Sequence, residues 1–219
     1  MVDSLHSIVN GIEKTLENQQ KGIAGDIYAF ILVTASEHVK LHINQFADRR
    51  EFMLTILNTM VRYDTLARYN IFNFWRNHIE EKSDFGHLES NCSKLDLDFS
   101  KLESRVNFLD VYRIYHNETV DNFLKTAYNV KYRGETLDAT AKAFLGKGKL
   151  EGISGVNVEF LPPEEQLSYC FQDSLLCYEL LQQKNFELLQ KLYEISQEIK
   201  KPFFETCNAK WPTMWWSLN

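Results

Sequence analysis

Two short segments in the first quarter of the chain have the hydrophobic pattern of a β-hairpin. Residues 26–34 (DIYAFILVT) are rich in β-branched and aromatic side chains and end at a polar turn. In residues 38–46 (HVKLHINQF), apolar Val39, Leu41 and Ile43 alternate with polar residues, which is the period of a half-buried strand. We expect these two strands to pair with each other.

The pattern then changes to helical spacing. Asp48 is a candidate N-cap, and apolar residues recur every three or four positions through Arg62. Further along, an aromatic loop (FNFW) is predicted at residues 72–75, and a helix is predicted to resume at Phe85. Short strands are predicted at residues 65–71 and 106–112, and helices at residues 117–126, 137–145, 163–182 and 185–200. Strands first, then helices alternating with short strands, predict an α/β fold: a ribonuclease H-like mixed sheet flanked by helices, with a C-terminal helical extension.

Composition narrows the class of protein. With 219 residues, 44% of them hydrophobic, the chain can bury a sizeable core as one domain with or without an extension. A net charge of −6 lacks the basic footprint of a duplex-binding protein, although a nuclease site that holds metals with carboxylates is itself locally acidic. The longest apolar run, residues 29–35, is far below the roughly 20 residues that span a membrane. We therefore expect a cytoplasmic protein with no membrane partner, and reduced thiols, since the four cysteines have no zinc-site spacing.

The sharpest local signal is the YxxxD pattern formed by Tyr169 and Asp173. It lies on a helix introduced by Pro163, and residues four apart share one helix face. By itself such a pair is more often an ordinary helix face, so its meaning depends on what precedes it.

Three segments upstream and at this helix form an ordered set. They are residues 108–113 (FLDVYR), residues 132–149, which contain YRGETLDA and FLGKGK, and the YxxxD itself. The set resembles the succession hhDhY, YxxxxLDxVxxxhLGxxK and YxxxD of the DnaQ-like 3′-to-5′ exonuclease domain in archaeal-type B-family DNA polymerases. The resemblance covers roughly residues 50–219. It implies that Asp173 binds a catalytic Mg²⁺ or Mn²⁺, that Tyr169 orients the attacking water, and that single-stranded DNA is the substrate.

The family's first motif, DxE, is incomplete. Placing it at Asp3 puts Leu5 where the glutamate belongs, and placing it at Asp26 puts Tyr28 there. We favour Asp3 as the metal ligand because of its distance from the hairpin. Either placement lacks one carboxylate, so we expect a weak or inactive nuclease.

The second motif, NxxxFD, is interrupted. Asn70 begins it, but Trp75 stands where the aspartate should be. Residues 83–88 (SDFGHL) resemble its continuation, which makes Asp84 a metal ligand of an interrupted motif or, alternatively, an ordinary helix cap. Phe72, Phe74 and Trp75, with Asn70, are candidates for contact with unpaired bases, although packing in the core is an equal competitor.

The tail resembles the connector that leads from the exonuclease into the polymerase palm. We divide the chain into an exonuclease-like domain, residues 1–184, and an extension, residues 185–219. Trp211, Trp215 and Trp216 are candidate anchors for a palm-containing polymerase core, unless they fold back onto their own domain. Two hypotheses follow: a non-catalytic, exonuclease-like subunit of a split polymerase (or a fragment of one) that binds the core and single-stranded DNA, or an active exonuclease with an unusual ligand set.

Overall fold

The structure is a computed structural model that describes residues 27–69, 74–76, 79–81, 84–130, 134, 136–153 and 158–208. Its strands are β1 (Ala29–Val33), β2 (His38–His42), β3 (Thr65–Arg68), β4 (Phe74–Arg76), β5 (Ile79–Glu81) and β6 (Asn107–Asp110). Its helices are α1 (Arg49–Met60), α2 (Asp84–Lys94), α3 (Ser100–Arg105), α4 (Val111–Tyr115), α5 (Glu118–Tyr128), α6 (Leu137–Leu145), α7 (Pro163–Glu198) and α8 (Phe203–Asn208). The predicted mixed α/β class is confirmed.

Strands β1 and β2 form the predicted antiparallel hairpin, with Ala29 opposite His42 and Val33 opposite His38. The second strand is shorter than its alternating pattern suggested. Ile43–Gln45 forms a 3₁₀ turn because His42 caps it: the ring accepts from the Asn44 N–H at 3.2 Å, and the Gln45 side chain accepts from the His42 N–H at 2.8 Å. This local pair of hydrogen bonds ends the strand at His42, although the alternation of apolar and polar residues continues to Ile43.

Strands β3 and β6 pair in parallel, with Thr65 opposite Asn107 and Arg68 opposite Asp110. The predicted strand 106–112 stops at Asp110, because the buried Asp110 carboxylate accepts from the Tyr112 N–H at 3.0 Å and so starts α4. The third pair, β4 and β5, is an antiparallel hairpin that includes part of the segment predicted as an aromatic loop. In the described part of the chain the sheets are therefore three separate pairs.

The core has two clusters of buried side chains, and β6 lies between them. Successive residues of a strand point to opposite faces, so Phe108 packs with the cluster around α1 and α2, while Leu109 packs with the cluster around α4, α6 and α7. Leu102 and Phe52 are central to the first cluster, and both are almost completely buried. Strand β6 is thereby covered by apolar groups on both faces, as is usual for a parallel strand, whereas three of the four residues of its partner β3 are exposed.

Helix α7 is the longest element and contacts β1, β2, β3 and α6. It is broken at Gln183, and the next three residues (Lys184, Asn185 and Phe186) have left-handed backbone angles, with φ between 48° and 61°. The break agrees with the two separate helical patterns predicted at residues 163–182 and 185–200. Buried leucines on both sides of the break belong to the same core cluster.

Several residues singled out in the sequence lie outside the described residues. They are Asp3, Leu5, Asp26, Asn70, Phe72, Trp211, Trp215 and Trp216. For Phe74 and Trp75 in β4, and for Asp84 at the first residue of α2, the structure describes the backbone alone.

Candidate functional site

Helix α7 carries Tyr169 and Asp173, the two described side chains that the sequence marks for chemistry. Its start is specified locally, because Pro163 occupies the first turn and Glu164 and Glu165 place negative charge at the positive end of the helix dipole. Tyr169 is 8% exposed, so it faces the body of the protein. Asp173 is one turn further on and shares that face.

A buried polar pair fastens the beginning of α7 to the hairpin. The His42 Nε2 and Gln166 Oε1 atoms are 2.9 Å apart. Since His42 Nδ1 accepts from the Asn44 N–H, and a neutral imidazole carries one N–H, Nε2 is the donor to Gln166. The Gln166 amide in turn donates to the Leu161 carbonyl at 2.8 Å. This chain of bonds fixes where α7 begins relative to β2.

Lys149 contacts both side chains of the YxxxD pair. Its Nζ atom lies 2.6 Å from Asp173 Oδ2 and 3.3 Å from the Tyr169 hydroxyl oxygen, and it also lies 5.3 Å from the centre of the Tyr169 ring. The Lys149 side chain is 27% exposed and that of Asp173 is 25% exposed. The three side chains therefore form one partly shielded site that still opens to solvent.

The loop that presents Lys149 is built around two glycines. Gly146 ends α6 with a left-handed φ of 71°. Gly148 is required for a different reason, because a Cβ there would lie 2.2 Å from Asp138 Oδ1. The same Asp138 oxygen accepts from the Lys149 N–H at 2.8 Å, and the Gln172 amide donates to the Gly148 carbonyl at 3.1 Å. The backbone of Lys149 is thus held from both α6 and α7.

Neighbouring charges oppose the effect of burial in this site. Burial lowers the pKa of Lys149, but the carboxylate of Asp173 and the hydroxyl of Tyr169 outweigh it, so the pKa of Lys149 is raised. Burial outweighs the opposing charges of Lys149 and Arg68 at Asp173, so the pKa of this carboxyl is raised above its usual value. At 2.6 Å the two groups form an ion pair at neutral pH.

The carboxyl end of β3 lies beside this site. Arg68, the last residue of β3, is exposed and close enough to Asp173 to act on its charge. The next residue, Tyr69, points inward: its hydroxyl is 2.8 Å from Thr140 Oγ1 on α6, and its ring meets Tyr112 edge-on with 5.6 Å between centroids. Burial raises the pKa of Tyr69, so this phenol stays protonated and acts as a structural contact.

Three of the four cysteines are held in the thiol form. All four are free in the structure, and Cys92, Cys177 and Cys207 are buried. Burial raises the pKa of Cys92 to about 11 and that of Cys177 and Cys207 to about 12. Since the thiolate is the reactive form, these side chains are inert at neutral pH.

The described residues do not fit a divalent metal at this site. No group of three or more His, Cys, Asp or Glu side chains able to hold a metal ion occurs among them. A hard divalent cation takes several oxygen ligands, whereas this site presents the Asp173 carboxylate with a lysine ammonium already bound to it. The ammonium carries the charge that a cation would otherwise supply.

Of the predicted site residues, the structure brings Tyr169 and Asp173 together. It adds two that the sequence reading did not select, Lys149 and Arg68. Lys149 is the last residue of the FLGKGK segment. Its contact with Asp173 depends on the close approach of Gly148 to Asp138, which cannot be read from the order of residues.

In comparisons with known proteins, no protein-family model matches the chain, and no curated protein matches it. Within the described ranges, none of the helices combines the length and the apolar character that crossing a membrane demands.

Proposed function

We propose that the chain is an impaired 3′-to-5′ exonuclease-like domain of the B-family DNA polymerase kind, which binds single-stranded DNA or a polymerase core without cutting DNA. The observation that carries this proposal is the contact between Lys149 and Asp173, with 2.6 Å between Nζ and Oδ2. Two-metal phosphodiester hydrolysis needs carboxylates that hold two divalent ions about 4 Å apart. An ammonium bound to one of those carboxylates repels a divalent ion and competes for its ligand.

The arrangement of strands supports the ribonuclease H-like part of the proposal. An antiparallel hairpin and a parallel pair both contact α7, the helix that carries the YxxxD pattern. Ligands of α/β sheets bind outside the carboxyl ends of parallel strands. Arg68 stands at that edge, within electrostatic reach of Asp173.

The sequence supports loss of activity independently. Neither placement of the first motif supplies a glutamate, because Leu5 or Tyr28 occupies its position. Leucine has no oxygen ligand, and a neutral tyrosine hydroxyl is a far weaker ligand for Mg²⁺ than a carboxylate. The missing glutamate and the pairing of Asp173 with Lys149 both weaken the binding of divalent metal ions, and so both lower the expected nuclease activity.

The decisive experiment incubates the pure protein with end-labelled single-stranded DNA and Mg²⁺ or Mn²⁺, beside Asp173→Ala. We expect no stepwise shortening from the 3′ end, and we expect the DNA to be bound. Shortening that disappears in Asp173→Ala would instead establish the active exonuclease. Lys149→Met separates the two causes of inactivity, because any activity that it restores identifies the lysine as the inhibitor.

The polymerase-associated role has its own test. The chain is mixed with the palm-containing core of a B-family polymerase, and the mass of the complex is measured by light scattering after gel filtration. We expect a one-to-one complex that is lost when Trp211, Trp215 and Trp216 are all changed to alanine, because tryptophans are favoured interface anchors. Lack of association, together with lack of DNA binding, would reject the proposed function.

A further inference from the structure

We propose that α7 is the hinge of a domain-swapped dimer, in which residues 187–208 of one copy of this chain pack onto the body of a second copy. In that dimer α7 is one straight helix, and its second half leaves the copy to which it is covalently joined. The exchange involves neither a nucleic acid nor a metal ion. Three features of the broken helix favour it: the backbone angles at the break, the local sequence, and the place of the second half in the core.

The break places three consecutive residues other than glycine in the left-handed region. Lys184, Asn185 and Phe186 have φ of 48°, 56° and 61°, and Gln183 before them has an extended ψ of 133°. The left-handed conformation costs free energy that glycine escapes and asparagine partly escapes, but lysine and phenylalanine do not. The Gln183 Oε1 atom is also shielded, and it has no hydrogen-bond partner in the described part of the chain, which is a second cost. A right-handed helix through these residues releases the backbone strain.

The sequence around the break is that of a continuous helix. Residues 176–192 (LCYELLQQKNFELLQKL) contain neither glycine nor proline, and most of them are leucine, glutamine, glutamate or lysine, which are good helix formers. A helix that ends at a left-handed residue usually has glycine there, and this segment has none. Local preference therefore favours a straight helix, and tertiary packing imposes the break. Short, strained hinges of this kind favour domain swapping.

Two side chains at the break bind it to neighbouring helices. The Gln183 amide donates to the carbonyl of Phe144 near the end of α6. The Lys184 ammonium donates to the carbonyl of Ala127 near the end of α5, and it lies 4.3 Å from the centre of the Tyr128 ring. The Lys184 side chain is 47% exposed, so water competes for these contacts. The break is therefore held mainly by the packing of the second half of α7 in the core.

That packing is apolar, and a second copy can supply it equally well. Leu180 in the first half of α7 and Leu188 and Leu192 in the second half are almost completely buried in the same core cluster. Helix α8 packs against the second half and would move with it.

A straight α7 cannot keep its second half in its own core. Its 36 residues would span about 54 Å, whereas a domain of this size is about 40 Å across. The second half therefore projects outwards and leaves the matching part of the core open. A second copy in the same state offers an identical open site, so reciprocal exchange restores the buried contacts in both copies. The strain at two hinges is then released, at the cost of the freedom of one molecule, and protein concentration decides which form is populated.

The test is the mass of the full chain, measured by light scattering after gel filtration, following refolding from urea at low and at high protein concentration. Refolding is used because the exchange opens the core, which is slow in native protein. We expect the 25.7 kDa monomer at low concentration and a dimer of twice that mass at high concentration. A monomer at every concentration would overturn the proposal.

Two substitutions at Asn185 connect the dimer to the hinge. Alanine makes the left-handed angle more costly and the straight helix more favourable, and glycine does the opposite. The left-handed cost alone changes the dissociation constant by a factor of about five at each hinge, and a dimer has two hinges. Asn185→Ala should therefore dimerise about 25-fold more tightly than Asn185→Gly, and glycine at all of residues 184–186 should abolish the dimer. Equal dimerisation of the alanine and glycine variants would show an ordinary surface contact and refute the exchange.

Asp96→Ala is the matched control for loss of stability. Asp96 also has a left-handed angle, with φ of 51°, but it lies just after α2, in a different part of the chain. Alanine there adds the same kind of strain without changing the hinge, so the dissociation constant of the dimer should equal that of the wild type. If Asp96→Ala dimerises as tightly as Asn185→Ala, general destabilisation causes the dimer and the hinge does not.

Discussion

Replacement of Lys149 by methionine tests the central ion pair through stability. Methionine keeps an unbranched apolar side chain in place of the lysine stem and removes the ammonium, so Asp173 loses the donor that lies 2.6 Å away. Removing one partner of a fully buried pair costs about 3 to 5 kcal/mol, and an exposed pair contributes about 0 to 1. Both side chains here are about a quarter exposed, which places the expected loss near 1 to 3 kcal/mol.

The assay is urea unfolding followed by circular dichroism on four proteins: wild type, Lys149→Met, Asp173→Asn and the double variant. We expect the loss of unfolding free energy in the double variant to be smaller than the sum of the losses in the two single variants, by a coupling energy of about 1 kcal/mol or more. Lys147→Met should cost less than about 1 kcal/mol, because its side chain is 50% exposed. If Lys149→Met is as stable as Lys147→Met and the coupling is near zero, the ion pair is a surface contact and the argument for a neutralised carboxylate fails.

Two further changes test the backbone around the site. Gly148→Ala should lower the free energy of unfolding by about 1 to 3 kcal/mol, because the new Cβ would lie 2.2 Å from Asp138 Oδ1. The same variant should bind DNA more weakly. If it unfolds at the same urea concentration as the wild type, the close approach is contradicted. At Asn185, where φ is 56°, alanine should be about 1 kcal/mol less stable than glycine, the reverse of the order at an ordinary helical position; differential scanning calorimetry of both variants gives the sign.

Local patterns predicted the elements whose signals are contained in a few neighbouring residues. The hairpin, the Asp48 cap and the limits of α6 (Leu137–Leu145) all follow from alternation, capping chemistry and helical period. The break after Gln182 also appeared as two separate hydrophobic patterns. In each case the forces that decide the structure act within one turn or one strand pair.

The site was predicted only on the α7 side. Tyr169 and Asp173 follow from helical spacing, whereas Lys149 reaches them because Gly148 lets its loop approach Asp138. That contact joins α6 to the loop that follows it, and Lys149 on this loop then reaches Asp173 on α7, 24 positions further along the chain. The close approach that allows this is not visible in the sequence. The β4–β5 hairpin was missed for a similar reason, because its pairing overrides a segment with the composition of a loop.

Because β6 lies between the two clusters, the register of β6 against β3 affects the packing of both halves of the core. Phe108 belongs to one cluster and Leu109 to the other, so sliding β6 by a single residue along β3 would exchange the two side chains between faces. Neither half of the core could then repack without the other. The strand thus couples the two halves, and we would look for their loss in a single cooperative transition, with β6 amides among the slowest to exchange their hydrogens.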